Sequence, residues 1–306
     1  MRALRSYLQD IEFAAISFHY RLESPQILPV LPELLLRSPL HQTGMEVLDP
    51  DSFERLFTPA LPDDPTALRR YQRPAPPFAF QPRPDTRTTA TDQGIISCHL
   101  FGDGITLLDD LIKTMAEVHP FVLANRQRHG LLTTVAAADA SGNEVIIWQK
   151  GMTKCAAPPR ITAAWRFDPV PTTTDWCLEI FTPARLLVQK KPLFRPAFRH
   201  LLPFILRRVT ALCYFCNHIE IAGAPELLAM SSGIEEEVSD WHWQDWRAHA
   251  GGTLTELGGI CGQLRLKGQL PDDLVDLLRL GSLMNIGKGA AYGAGSYRFL
   301  PDTTKR

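Results

Sequence analysis

Gly287-Lys288-Gly289-Ala290-Ala291-Tyr292-Gly293-Ala294-Gly295-Ser296-Tyr297-Arg298-Phe299, late in the 306-residue sequence, decides how the rest of the chain is read. Four glycines (287, 289, 293 and 295) fall within nine residues, and Lys288 stands between the first two. Backbone without a Cβ can take positive φ and come close to a phosphate or to another backbone segment. The flanks set the order of elements. Leu274-Val275-Asp276-Leu277-Leu278-Arg279-Leu280 carries leucines at helical spacing, and Tyr297 to Leu300 has strand character. The order is therefore helix, glycine loop, strand. A P-loop or dinucleotide loop runs strand, loop, helix, so that the helix N-terminus faces the phosphate. That order, and the lack of a Gly-Lys-Ser/Thr, argue against both.

Helix, loop and strand resemble the C-terminal signature of a known family: the CRISPR-associated endoribonucleases that cut precursor CRISPR RNA, the "Cas-six" family of the RAMP superfamily. The matching residues are Leu280-Gly281-Ser282-Leu283-Met284-Asn285-Ile286-Gly287-Lys288-Gly289, then Ala290-Ala291-Tyr292-Gly293-Ala294-Gly295-Ser296-Tyr297. Two further segments are similar to family segments: Pro76-Pro77-Phe78-Ala79-Phe80-Gln81-Pro82, where two prolines lead a short strand, and Phe181-Thr182-Pro183-Ala184-Arg185-Leu186, a Thr-Pro-x-Arg strand.

Composition is compatible. The length suits two domains of about 150 residues, and a hydrophobic fraction of 45% supplies a sizeable core. No window approaches 18 uncharged apolar residues, so no membrane span is expected. Asp10 and Glu12 interrupt the basic N-terminal stretch where a signal core would have to lie. The six cysteines are scattered except for Cys213-Tyr214-Phe215-Cys216, which without a second pair reads as core packing rather than zinc. No metal or cofactor is expected, and a reducing cytoplasm fits. A net charge of −1 counts against an indiscriminate nucleic-acid binder. It leaves room for a local basic face. Arg185, Lys190, Lys191, Arg195, Arg199, Arg207 and Arg208 follow one another with no Asp or Glu between them. They form either a solvated helix face or a phosphate-tracking stripe.

In chain order, Phe13 to Tyr20 reads as a first strand, and Glu33 to Arg37 as a short helical stretch with His41 in the turn beyond it. Residues 49–92, rich in Pro, Asp, Thr and Arg, read as loop. Gly94 to Leu100 is a strand, and Ile105 to Met115 an amphipathic helix with acids near its start. Leu123–Gly130 is a basic loop, and a hairpin turns at Asp139–Asn143. Pro158-Pro159 marks a boundary. Beyond it lie a strand (Trp176–Leu187), a long helix (Phe198–Cys216) that Pro203 kinks or starts, and a glycine-led strand (Gly258–Gly268). Pro271 opens the helix before the glycine loop. Each half fits strand, helix, strand, strand, helix, loop, strand. The expected fold is thus α+β, with tandem ferredoxin-like (RRM-like, βαββαβ) domains over residues 1–157 and 158–306.

The resemblance implies a cut of CRISPR repeat RNA in which the ribose 2′-OH attacks the adjacent phosphate, leaving a 2′,3′-cyclic phosphate and a 5′-OH. Such chemistry uses a base near neutral pKa and donors for the phosphorane charge, without a metal. Nine histidines compete for the base. The family's histidine usually lies on or just after the first helix, which implies His41. His19, at the end of the first strand with Tyr20 beside it, is the second candidate. Asn285 stands where the family often has histidine, and Arg247-Ala248-His249 departs from an Arg-Tyr-Ser-like segment, leaving His249 as an outside choice. Candidate RNA contacts are Gly287, Lys288, Gly289, Gly293 and Gly295; Lys190, Lys191, Arg195 and Arg199; and the cation-rich Arg126, Arg128 and His129. Each cation is also compatible with simple solvation, and Trp241, Trp243 and Trp246 with packing or base stacking. The expected partners are CRISPR repeat RNA and crRNA, together with other Cas proteins of an effector complex. Two alternatives stay open: a non-catalytic RAMP-type crRNA-binding subunit, and a fold unrelated to RNA whose glycine loop is only a tight turn.

Overall fold

The computed structural model describes residues 4–71, 74–83, 89–121, 130–167, 175–250 and 253–302. The chain divides into two compact units. One is Glu12–Ile161 with Arg247–Glu256; the other is Met1–Ile11, Thr162–Trp246 and Leu257–Arg306.

In the first of these, β1 (Glu12–Gln26) buries Ile16, Phe18, Tyr20 and Leu22 and turns Ser17, His19 and Arg21 to the opposite face. This is the two-residue period of a strand covered on one side. A 3₁₀ turn (Pro32–Leu35) leads into α1 (Arg37–Val47). His41 therefore lies inside a helix, not in a turn beyond one. Pro39 causes no break because it sits in the first turn, where its N–H has no intrahelical acceptor. The stretch read as loop also holds helices, α2 (Pro50–Phe57) and α3 (Pro65–Tyr71). Asp49 caps α2 by accepting from the Ser52 N–H at 2.9 Å, and Pro50 fills its first position. Then come β2 (Phe78–Phe80), β3 (Thr91–Phe101), α4 (Leu108–Glu117), β4 (Gly130–Ala138) and β5 (Glu144–Gln149). The sheet runs β2-β3-β1-β4-β5, antiparallel throughout. Its first four positions are the ferredoxin-like order. The Tyr20 hydroxyl, buried, donates to the Met115 carbonyl at 2.8 Å and ties β1 to α4.

After β6 (Ile161–Thr162) and α5 (Ala163–Arg166), the second unit repeats the plan. It contains β7 (Asp175–Ala184), a small hairpin of β8 (Leu187–Val188) and β9 (Lys191–Pro192), α6 (Phe198–Asn217) and α7 (Ala224–Met230). The long strands β10 (Glu235–Ala250) and β11 (Thr253–Lys267), then α8 (Asp272–Met284) and β12 (Tyr297–Pro301), complete it. The sheet order β10-β11-β7-β12 is again second-third-first-fourth, so the fold is a tandem of ferredoxin-like sheets. Pro203 lies within α6 rather than starting it. Cys213 and Cys216 are buried on that helix, and neither is in a disulfide. Trp176 stacks on Phe299 with centroids 4.9 Å apart, joining β7 to β12.

Candidate nucleic-acid interface

The glycine loop is a small folded object. Gly287, Gly289, Gly293 and Gly295 all have positive φ, between 64° and 86°, and Asn285 joins them at 59°. The chain thus reverses repeatedly between α8 and β12, which non-glycine residues resist. Its inner half is held by the Thr-Pro-x-Arg segment of β7. Thr182 Oγ1 donates to the Gly293 carbonyl at 2.8 Å and accepts from the Ser296 N–H at 2.7 Å. The Gly295 N–H donates to the Pro183 carbonyl, and the Lys288 N–H to the Arg185 carbonyl, both at 3.1 Å. The Asn285 side-chain amide donates to the Ala290 carbonyl at 2.9 Å, a bond that closes the loop from within. Gly293, Ala294 and Gly295 are consequently buried, and Gly295 has no room for a Cβ beside the Ile286 carbonyl. Gly287 and Gly289 are half-buried, and Lys288 between them is exposed. The loop offers one cation on a rigid turn.

The basic run does not form one stripe. Lys190, Lys191, Arg195, Arg199 and Arg207 are exposed. Lys190 and Gln189, both at positive φ, make the two-residue turn of the β8–β9 hairpin. That turn geometry matches strand twist but usually recruits Gly or Asn, so no local signal marks a hairpin here. Arg208 points inward. Its Nε donates to the Met284 carbonyl at 3.1 Å, and burial pulls its pKa down to about 10. Arg185 is half-buried, with its Nε lacking a partner among the described residues.

The histidine candidates lie on the first-described unit. His41 on α1 is half-buried, its ring edge-on to Phe53 of α2 at 4.9 Å. His19 lies at the middle of β1, not its end, because the strand continues to Gln26. It faces a cleft of about 620 Å³, shared with Arg21, Gln93, Thr134 and Glu144. The β1–β4 register slips between His19 and Tyr20, leaving Thr133 as a bulge whose hydroxyl donates to the His19 carbonyl at 3.1 Å. Bulges re-aim neighbouring side chains. The His19 Nε2 is buried without a hydrogen-bond partner among the described residues. Tyr20 does not join it. Successive strand residues face opposite ways, its hydroxyl is spent on Met115, and burial drives its pKa far up. Arg126, Arg128 and His129 lie outside the described residues, as does the side chain of His249. Among the described residues, no group of His, Cys, Asp and Glu is placed to hold a metal ion, and no helix is long and apolar enough to cross a membrane.

Comparison with known proteins bears on the second-described unit most directly. Residues 178–297 match the family described as CRISPR-associated endoribonuclease Cas6, and residues 38–160 match a family described as an N-terminal domain. No curated protein matches the chain. Among solved structures, a Cas6 product complex is similar at a TM-score of 0.53 and 15% identity, over 94% of this chain and 100% of that one. Thermus thermophilus Cas6 is similar at 0.50 and 14%, over 95% and 99%. A partial Cas6-RT-Cas1–Cas2 complex is similar at 0.57 and 12%; it covers 96% of this chain, which spans only 47% of that one. These identities speak for the fold alone, and the fold they share is the tandem ferredoxin-like one. The match to the family of CRISPR-associated Cas6 endoribonucleases runs over residues 178–297 and takes in β7, α8 and the glycine loop, so this part of the chain is similar to that family.

Proposed function

We propose that this protein is a metal-independent endoribonuclease that cleaves CRISPR repeat RNA to mature crRNA. The ribose 2′-oxygen attacks the adjacent phosphorus and the P–O5′ bond breaks, giving a 2′,3′-cyclic phosphate and a 5′-OH. The 2′-OH proton passes to a side-chain base, and the leaving 5′-oxygen takes up a proton. Because the nucleophile is already part of the substrate, no metal-activated water is needed. His41 is the proposed base and His19 the second candidate. Lys288, Lys190, Lys191, Arg195 and Arg199 are the proposed phosphate contacts. Other Cas proteins are proposed as partners of the product-bound state.

The observation that carries this reading is the glycine loop within the Cas6-matched region. Its fold is fixed from within by Thr182, Pro183 and Asn285, and it turns Lys288 outward next to the acid-free segment that starts at Arg185. A rigidly held cation costs little reorganisation when negative charge develops on a phosphate. RNA duplex grooves hide base edges, so phosphate contacts and shape carry recognition of a repeat stem. The test is incubation of the protein with end-labelled repeat RNA in EDTA. Cleavage to a fragment with a cyclic phosphate end is expected. Products ending in 3′-OH, or cleavage that stops when EDTA is added, refute the mechanism. Tight, salt-sensitive binding without turnover indicates a crRNA-holding subunit instead.

A further inference from the structure

The tryptophans of β10 and the segment after the β8–β9 hairpin meet in an arrangement that phosphate binding does not explain. Trp241 and Trp243 are two residues apart on one strand and therefore share a face. Trp241 is buried, and its Nε1 donates to the Pro196 carbonyl at 2.9 Å. Trp243 lies beside Phe194, with ring centroids 4.8 Å apart and planes inclined by 46°. The Trp243 ring is held from two further sides. Its Nε1 donates to Asp245 Oδ1 at 2.8 Å. Gly258 on β11 leaves it room, since a Cβ there would come within 2.7 Å of its Cζ2. Phe194 is thus backed by a fixed indole, yet it remains 55% exposed.

An aromatic ring so exposed loses much of its value as a packing residue. Its neighbours in sequence are cations. Lys190 lies in the hairpin turn, Lys191 opens β9, Arg195 follows Phe194 directly, and all three are exposed. The acid beside the pair, Asp245, has one of its oxygens occupied by the indole N–H. A flat apolar ring on a rigid support, flanked by lysine and arginine, is the combination that binds single-stranded nucleic acid: the ring stacks a base and the cations take the adjoining phosphates.

We propose that Phe194, supported by Trp243, is a stacking platform for an unpaired nucleobase of bound RNA, with Lys190, Lys191 and Arg195 on the phosphates beside that base. The proposal rests on the RNA-binding reading above but not on cleavage. It separates two contributions that a basic patch alone would merge. Stacking contributes affinity that does not depend on salt, whereas phosphate contacts contribute affinity that does.

The experiment uses the full-length protein and a single-stranded decauridylate carrying one central 2-aminopurine, whose fluorescence falls when it stacks. Wild type is expected to quench the probe on binding. Phe194→Leu keeps an apolar side chain but removes the π face. It is expected to lose the quench and about tenfold in affinity at an unchanged log–log salt slope, with the melting temperature held. Phe194→Tyr is expected to restore both quench and affinity. A blunt RNA duplex is expected to bind wild type and Phe194→Leu equally. Equal quenching by wild type and Phe194→Leu overturns the platform. So does a loss of duplex binding as large as the loss of single-strand binding, or a wild type that does not bind the probe. If the probe is quenched as expected while repeat RNA goes uncut, the platform stands and the endoribonuclease reading falls.

Discussion

The Lys288 amide donates to the Arg185 carbonyl at 3.1 Å, so the glycine loop is fastened at its outer edge to the first residue of the basic segment. Two features far apart in sequence therefore have a fixed geometric relation, and a change in one should register in the other.

The four glycines should respond unequally to alanine. A Cβ at Gly295 would run into the Ile286 carbonyl, whereas at Gly289 the nearest atom is the Ala294 Cβ at 3.4 Å. Both have positive φ, which costs a non-glycine residue roughly 1–2 kcal/mol. Gly295→Ala adds a backbone collision that cannot relax cheaply. It should lower the melting temperature by about 5 °C or more, and Gly289→Ala by clearly less. Thermal melts of the two variants decide this; equal losses would mean that the loop is not packed as described.

Lys288→Ala should leave the melting temperature unchanged, because the side chain is exposed. If Lys288 contacts a phosphate, the log–log salt slope of RNA binding falls by roughly 0.7 to 0.9. An unchanged slope makes it a solvated lysine.

The basic run should divide by function. Replacing Lys190, Lys191, Arg195 and Arg199 together by Ala should weaken RNA binding and flatten its salt dependence, each lost phosphate contact contributing roughly 0.7 to 0.9 to the slope. Arg208→Ala should do the opposite. It removes the guanidinium that binds the Met284 carbonyl and should lower stability while leaving the slope alone. Salt titrations and melts on both variants test the division.

For the base, His41→Ala should slow single-turnover cleavage by ~10²-fold or more and leave affinity nearly unchanged, the usual scale for loss of a general base. If His41→Ala cuts normally and His19→Ala does not, the role belongs to His19 on β1, opposite the β4 bulge. Normal rates for both would shift attention to Lys288.

Glu33 gives stability a pH dependence. Its carboxyl is buried in the 3₁₀ turn before α1, with Oε2 lacking a partner among the described residues. Burial pushes its pKa up to about 7, against the smaller lowering effects of a backbone hydrogen bond and Arg83. The folded protein therefore holds a proton that the unfolded chain releases at about 4.5. Across that window the native state binds more protons, so stability falls as pH rises from about 4.5 to 7 and levels off above. The change is on the order of 3 kcal/mol. Glu33→Gln should abolish this slope in urea denaturation run at several pH values, and a persistent slope would place its origin elsewhere.

The sequence was legible where a local rule acts alone. The leucine spacing of α8, the glycines after it, the Asp139–Asn143 turn and the alternation of β1 each follow from nearest neighbours, and together they specify two ferredoxin-like repeats. It misled where composition masked local signals. The proline-rich stretch hides α2 although Asp49 and Pro50 form a plain helix start, and the Pro39-to-Gly44 run that suggests a turn around His41 is helix. The β8–β9 hairpin carries no Gly or Asn in its turn and left no trace.

What the sequence determined by itself was the order of the main elements and the likeness to the Cas6 family, because periodicity and glycine placement are properties of one segment at a time. Only the tertiary structure decided which polar groups face outward. Thr182 and Asn285 turned into the glycine loop, Arg208 turned onto α8, and the Thr133 bulge set the His19 Nε2 without a partner in its cleft. Phe194 came to rest on Trp243, nearly fifty residues away in sequence. Each of these depends on a partner from another strand or helix. Burial and hydrogen-bond satisfaction are settled between segments, and no reading of one segment alone contains them.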